Sequence, residues 1–116
     1  MKPDFACLEP IASLTDLRDL VREFNRRRKW EPYHTPKNLA MSVCIEAAEL
    51  AEHFQWLTPE ESRACDVAKR RAVAEELADV LIYLVTLADA LDIDLLEAAR
   101  GKLMQNHRRY PEPETG

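Results

Sequence analysis

Glycine is almost missing from this chain: of 116 residues only Gly101 and Gly116 are glycine. Rossmann and P-loop nucleotide sites need several glycines close together to bring backbone amides onto phosphate. Both are therefore excluded, and any phosphate chemistry must rest on side chains and a metal. Positive charge is also in deficit. Sixteen Lys and Arg against 21 Asp and Glu leave a formal charge of −5, which argues against a surface that coats nucleic acid or anionic lipid. Cysteine is sparse and odd in number; Cys7, Cys44 and Cys65 form no zinc-type pair and suggest no disulfide framework, as in a reducing compartment. Long apolar runs are lacking too. The longest, Val80 to Ala88, is far short of the ~20 residues of a membrane span, and Met1 to Phe5 shows no signal-peptide stretch. The expectation is a soluble cytoplasmic chain with no nucleic-acid or membrane partner.

What is present reads as helix. Prolines stand at 3, 10, 32, 36, 59, 111 and 113, leaving 37–58 and 60–110 open to long helices. Leu14, Leu17, Leu20, Val21 and Phe24 recur at helical spacing behind a Ser13-to-Asp16 cap signature, which predicts a helix from about Leu14 to Arg28. Thr35-Pro36 predicts a second, through about Trp56, and Thr58-Pro59-Glu60-Glu61 a short helical or irregular connection. A third is expected from about Val67 to Leu91, with Val73, Leu77, Val80, Leu81, Leu84, Leu87, Ala88 and Leu91 inward. Asp94-Leu95-Leu96-Glu97 opens a last one to about Arg109. No alternating strand pattern occurs. The fold class is all-α: one domain over 1–116, its core about 14–111, with short tails. Apolar residues lie nearly all round the third helix (Ile82, Leu84, Val85, Leu87), so the helical bundle is expected to be completed by a second copy of the chain.

One pattern occurs twice. Glu46-Ala47-Ala48-Glu49 and Glu76-Leu77-Ala78-Asp79 each place two acids on one helical face beside the apolar stripe. At three and four residues from these acids there is no Lys or Arg. A solvated acidic face of this kind costs only ~0.2–0.5 kcal/mol per like-charge pair. Brought together across two packed helices, each pair would repel by roughly 3 kcal/mol at 5 Å and an effective dielectric of 20. A hard divalent cation, Mg²⁺ or Mn²⁺, turns that repulsion into affinity, and such ions commonly carry phosphates.

The acid pairs and their flanks resemble the all-α NTP pyrophosphatase superfamily, also called MazG-like. The blocks are Trp30-Glu31-Pro32-Tyr33-His34-Thr35-Pro36-Lys37-Asn38-Leu39, then Glu49 to Trp56, Glu76 to Leu84, and Lys102 with Asn106-His107-Arg108-Arg109-Tyr110-Pro111. Together they are similar to the dCTP pyrophosphatase branch over roughly residues 20–111. The resemblance implies cleavage of a nucleoside triphosphate to monophosphate and pyrophosphate, for nucleotide-pool sanitation. It implies that Glu46, Glu49, Glu76 and Asp79 hold Mg²⁺, with Glu49 the choice for deprotonating the attacking water. It assigns Lys102, Asn106, Arg109 and Tyr110 to phosphate, with Arg108 the alternative to Arg109, and Trp30, His34, Asn38, Trp56 and Tyr83 to the base. It also implies a homodimeric unit, often paired into a homotetramer.

Blander roles stand beside several of these. Lys102 and Arg109 near a helix C-terminus also complement its dipole, and a tryptophan at a helix end also packs a bundle. His53 shares the acid face as a polar-face histidine or a neighbour of the site, Cys44 reads as a small core residue, and Gly101 as a point of close helix approach. A di-iron carboxylate bundle is disfavoured, because it needs Glu-x-x-His motifs on paired helices and the sequence has a single one, Glu31-Pro32-Tyr33-His34. The remaining rivals are a MazG-like hydrolase of other or broad base specificity, such as a dUTPase-like enzyme, and a non-catalytic helical interaction protein.

Overall fold

Every helix begins where a side chain accepts from otherwise unbonded first-turn amides. The structure is a computed structural model that describes residues 2–114. Helix α1 (Leu14–Arg27) is capped by Ser13, whose hydroxyl accepts from the Asp16 N–H at 3.0 Å. Thr35 caps α2 (Pro36–Glu52) through the Asn38 N–H at 3.2 Å. Thr58 and Glu61 form a reciprocal capping box on the short α3 (Pro59–Arg63). Asp66 caps α4 (Val67–Ala90) and Asp94 caps α5 (Leu95–Arg109). A 3-10 turn, Glu31–Tyr33, joins α1 to α2. No strand occurs among the described residues.

Two helix ends use the left-handed region without glycine. At the end of α1, Lys29 has φ 56°, its N–H donates to Arg26 O, and the Trp30 N–H donates to Asn25 O. This is a Schellman motif, and its usual apolar contact is present as Phe24 against Trp30, ring centroids 5.9 Å apart. Asp92, φ 54°, closes α4 the same way, with the Ile93 N–H bonded to Ala88 O at 2.8 Å. These reversals turn Trp30 back toward α1 and lead the chain from α4 into α5.

Helix α4 packs along α2, and α1 packs on α4 to a lesser extent; α5 makes only sparse contact with the rest. The core is small: Val21, Leu39, Val85 and Ala88, with the buried polar Asn25. Arg22 of α1 grips Asp89 of α4 through two hydrogen bonds, at 3.0 and 2.6 Å. That pairing holds the Asp89 carboxyl below the ordinary carboxylate range.

Four sequence expectations change. Helix α2 ends at Glu52, not near Trp56, because the chain tightens into turns in which Phe54 bonds Ala51 O and Leu57 bonds Phe54 O. Pro59 requires an extended residue before it, and Thr58 obliges with ψ 163°. The apolar residues expected inward on α4 are only partly covered in one chain. Leu77, Leu81, Leu84 and Leu91 remain exposed, since α2 and α1 cover only part of the helix. Cys44 is exposed instead of in the core, and a Cβ added at Gly101 would meet nothing within 4 Å, so no close helix approach occurs there among the described residues. Among the described residues no helix is long and apolar enough to cross a membrane.

Candidate metal and nucleotide site

Glu46 and Glu49 lie one turn apart on α2, and Glu76 faces them from α4. One carboxylate oxygen from each falls within 4.8 Å of the others, and all three side chains are half-buried. No Lys or Arg forms an ion pair with them among the described residues. Among the described residues the one basic side chain near them is His53, whose Nε2 stands 3.9 Å from Glu76 Oε1. Glu46 Oε2 and Glu76 Oε2 are buried with no hydrogen-bond partner. Buried unbonded carboxylate oxygens are costly, so this is an arrangement that wants a cation.

The electrostatics agree. Desolvation, a hydrogen bond with Glu49, and the charges of Glu49, Asp79 and Glu76 push the Glu46 carboxyl up to about 7. Desolvation and the charges of Glu49 and Asp79 also raise Glu76. Asp79 stands apart from the tight group. It is exposed on α4, outside the 4.8 Å cluster, yet its charge reaches both glutamates.

The expected base-binding residues divide into two places. At the start of α2, Trp30 and His34 meet edge to face, centroids 6.1 Å apart, and the His34 Nδ1 is buried and unpartnered. Asn38 donates its side-chain amide to Tyr33 O at 2.9 Å. Trp56 lies past the other end of α2 and is 87% exposed. Seventeen residues of helix put about 25 Å between the two ends, so one chain does not close both tryptophans on one base. Tyr83 is half-buried on α4. The phosphate candidates are likewise separate. Lys102 reaches Gln105 at 3.3 Å, Arg109 lies over the Tyr110 ring at 5.3 Å, and Asn106 is half-buried, all on or just beyond α5. Among the described residues no hydrogen bond or ion pair joins them to the carboxylates.

Sequence reasoning passed over the aromatic support of Trp30. Phe5 meets Phe24 edge to face at 5.2 Å, Phe24 meets Trp30, and the Arg28 guanidinium stacks 3.4 Å over the Phe24 ring. The signal available was only the three aromatic residues themselves. Among the described residues, cavities of about 210, 480 and 980 Å³ lie beside Arg22 and Asp89, beside His53 and Cys65, and under residues 2–11; the three glutamates line none of these.

Two packed helices that converge three carboxylates in an all-α chain fit a known family. The model of the MazG-like family matches residues 41–116. The chain belongs to the MazG-like family. It is 46% identical over 101 residues to dCTP pyrophosphatase 1 of Bos taurus, covering 85% of this chain and 60% of that protein. To dCTP pyrophosphatase 1 of Homo sapiens it is 45% identical over 104 residues, covering 88% and 61%. It also superposes on the crystal structure of a pyrophosphatase from Archaeoglobus fulgidus with a TM-score of 0.82 and 43% identity, over 91% of this chain and 99% of that one. The chain thus spans about three fifths of the length of the curated relatives it matches.

Proposed function

We propose that this chain hydrolyses a nucleoside triphosphate to the monophosphate and pyrophosphate, favouring dCTP or a 5-substituted dCTP, as a guard of the cytoplasmic nucleotide pool. The observation that carries this reading is the convergence of Glu46, Glu49 and Glu76 with no Lys or Arg partner. Support comes from relatives named for dCTP pyrophosphatase and pyrophosphatase activity. The three free cysteines fit a reducing compartment.

Three hard oxygen donors, two of the residues with a buried unpartnered oxygen, fit Mg²⁺ first and Mn²⁺ second. With Asp79 beside them, Glu46, Glu49 and Glu76 would hold it. Such an ion supplies neutralisation of phosphate charge and Lewis-acid polarisation at phosphorus. Glu49 is our choice for taking the proton from the water that attacks the α-phosphorus, with pyrophosphate leaving. Lys102, Asn106, Arg109 and Tyr110 hold the departing phosphates, and their cations oppose the charge that develops there. Trp30, His34, Asn38, Trp56 and Tyr83 orient the base, which fixes the α-phosphorus against the carboxylates.

The site is completed in a homodimeric unit, paired into a homotetramer. One chain exposes 9475 Å², against about 6,500 Å² for a compact monomer of this mass. Its radius of gyration is 17.6 Å, where about 13 Å is usual for this length. The surplus is of the order that obligate interfaces remove, and an interface could bring Trp30 of one protomer toward Trp56 of its partner.

Incubation with each dNTP and NTP, with Mg²⁺ or EDTA, tests the reaction. The expected products are monophosphate and pyrophosphate, dCTP or 5-methyl-dCTP fastest, and none with EDTA. Orthophosphate release without pyrophosphate contradicts the assignment.

A further inference from the structure

Residues 2–11 form an arm ahead of α1 that belongs to no helix, and the arm is fastened close to Trp30. Its first residues make a turn bonded to itself. The Asp4 carboxylate accepts from the Ala6 N–H at 3.0 Å, and the Cys7 N–H donates to Asp4 O at 3.1 Å. Arg27, paired with Glu23 at 3.0 Å, donates to Pro3 O at 2.9 Å and lies 5.0 Å over the Phe5 ring. Among the described residues the bond to Pro3 is the one hydrogen bond between the arm and the helices. Further along, the arm packs loosely. A cavity of about 980 Å³ is lined by Leu8 and Ile11 on the arm and by Asp16 and Leu20 on α1, and both arm residues remain exposed. Anchoring therefore concentrates at Pro3 and Phe5.

Phe5 begins a chain of rings. It meets Phe24 edge to face at 5.2 Å, Phe24 meets Trp30 at 5.9 Å, and Trp30 meets His34 at 6.1 Å. Perpendicular ring pairs attract beyond the area they bury. The Arg28 guanidinium stacks 3.4 Å from the centre of the Phe24 ring and donates to the Phe24 carbonyl at 3.1 Å. Phe5 and Arg28 together hold Phe24, and Phe24 passes that constraint to the indole. Two of the chain's three phenylalanines thus stand behind one tryptophan. Trp30 itself is 44% exposed, which leaves ring surface open to a flat ligand. An unsupported indole gives up rotamer freedom when a base stacks on it, whereas a buttressed one has given it up beforehand.

We propose that Phe5, acting through Phe24, is a positioning residue for Trp30, so that the N-terminal arm sets how tightly the nucleotide base is held. This rests on the reading above that Trp30 orients the base, and goes beyond it by naming the segment that fixes the ring. Stacking on an aromatic ring is tolerant of base identity. The arm therefore acts on affinity for the base and leaves the phosphate contacts alone.

Steady-state kinetics of the full chain with dCTP and Mg²⁺ test this, with inorganic triphosphate as a competitive probe that has no base. Phe5→Ala should raise KM for dCTP about 3–10-fold, the scale of one aromatic pair, with kcat within about twofold. The inhibition constant of triphosphate should stay unchanged. Phe5→Tyr, which keeps the ring, should restore KM. In a Trp56→Phe background Trp30 is the one indole, and its fluorescence anisotropy should decay faster once Phe5→Ala is added, with the helical CD signal retained. An unchanged KM in Phe5→Ala, beside a raised one in Trp30→Ala, overturns the role of Phe5 and leaves the base reading standing. Equal weakening of dCTP and triphosphate does the same, because it marks a general effect on the fold. An unchanged KM in Trp30→Ala overturns both readings. So does a wild type that neither hydrolyses dCTP nor has its Trp30 fluorescence quenched by it.

Discussion

Helices α2 and α4 pack along each other and bring three acids to one point, whereas α5 carries Lys102, Asn106 and Arg109 on a helix that touches little else. The first region brings its three glutamates together within one chain. The second leaves Leu96, Leu103 and Met104 exposed, as α4 does Leu77 and Leu81. The difference separates two tasks. Charge must be concentrated before a substrate arrives, and that requires a rigid pair of helices. On the proposed function, the groups that would hold a departing phosphate need only be placed when the proposed assembly forms.

The contrast breaks most easily at the acids. Glu49→Gln and Asp79→Asn should each lower turnover on the order of 10²–10³-fold, the scale of removing one transition-state charge contact, with the helical CD signal retained. Unchanged rates in both variants would remove those residues from the site. At α5 the expected effect is on assembly. Leu103→Glu should weaken self-association by roughly 10–100-fold, following ~1.5–3 kcal/mol for a buried leucine, as read by sedimentation. A wild type that sediments at 13.4 kDa at micromolar concentration would contradict the assembled site.

A pH series sharpens the account of α2 and α4. In metal-free protein the Glu46 carboxyl sits at about 7, above its ordinary 4.5, so the folded state holds a proton that the unfolded chain has released. Between those values stability therefore falls as pH rises. The melting temperature in EDTA should drop from pH 5 to pH 8, Mg²⁺ should restore it at pH 8 more than at pH 5, and Glu46→Gln should flatten the slope. A rising melting temperature in EDTA that is insensitive to Glu46→Gln would contradict this sign. The smallest effect belongs to the Arg22–Asp89 clasp between α1 and α4. Both groups are partly exposed, so Asp89→Asn should cost only about 0.5–1 kcal/mol, measured by urea denaturation, with the carboxylate cluster undisturbed.

Much of this was legible from residue order because it is local. Ser13, Thr35, Thr58 and Asp94 announce helix starts within a single turn, and each caps its helix as expected. The acid pairs stood out because no cation lies three or four residues away, a property of each helix taken alone. What escaped depends on chain reversals and on helix register. The end of α2 at Glu52 follows from tight turns ahead of Pro59. The contact of Trp30 with Phe24 exists because Lys29 takes a left-handed conformation, and a lysine gives no warning of that. The gap between His53 and Glu76 is set by how α4 slides along α2. The apolar surplus of α4 was visible in advance, but which of its sides one chain leaves uncovered was not.

The central claim is that these carboxylates grip a divalent ion, and calorimetric titration of Mg²⁺ into the metal-free protein measures it most directly. The account predicts saturable binding that tightens from pH 6 to pH 8 and is lost in Glu76→Gln. Absent binding, or equal binding by wild type and a Glu46→Gln/Glu49→Gln/Glu76→Gln variant, would contradict it.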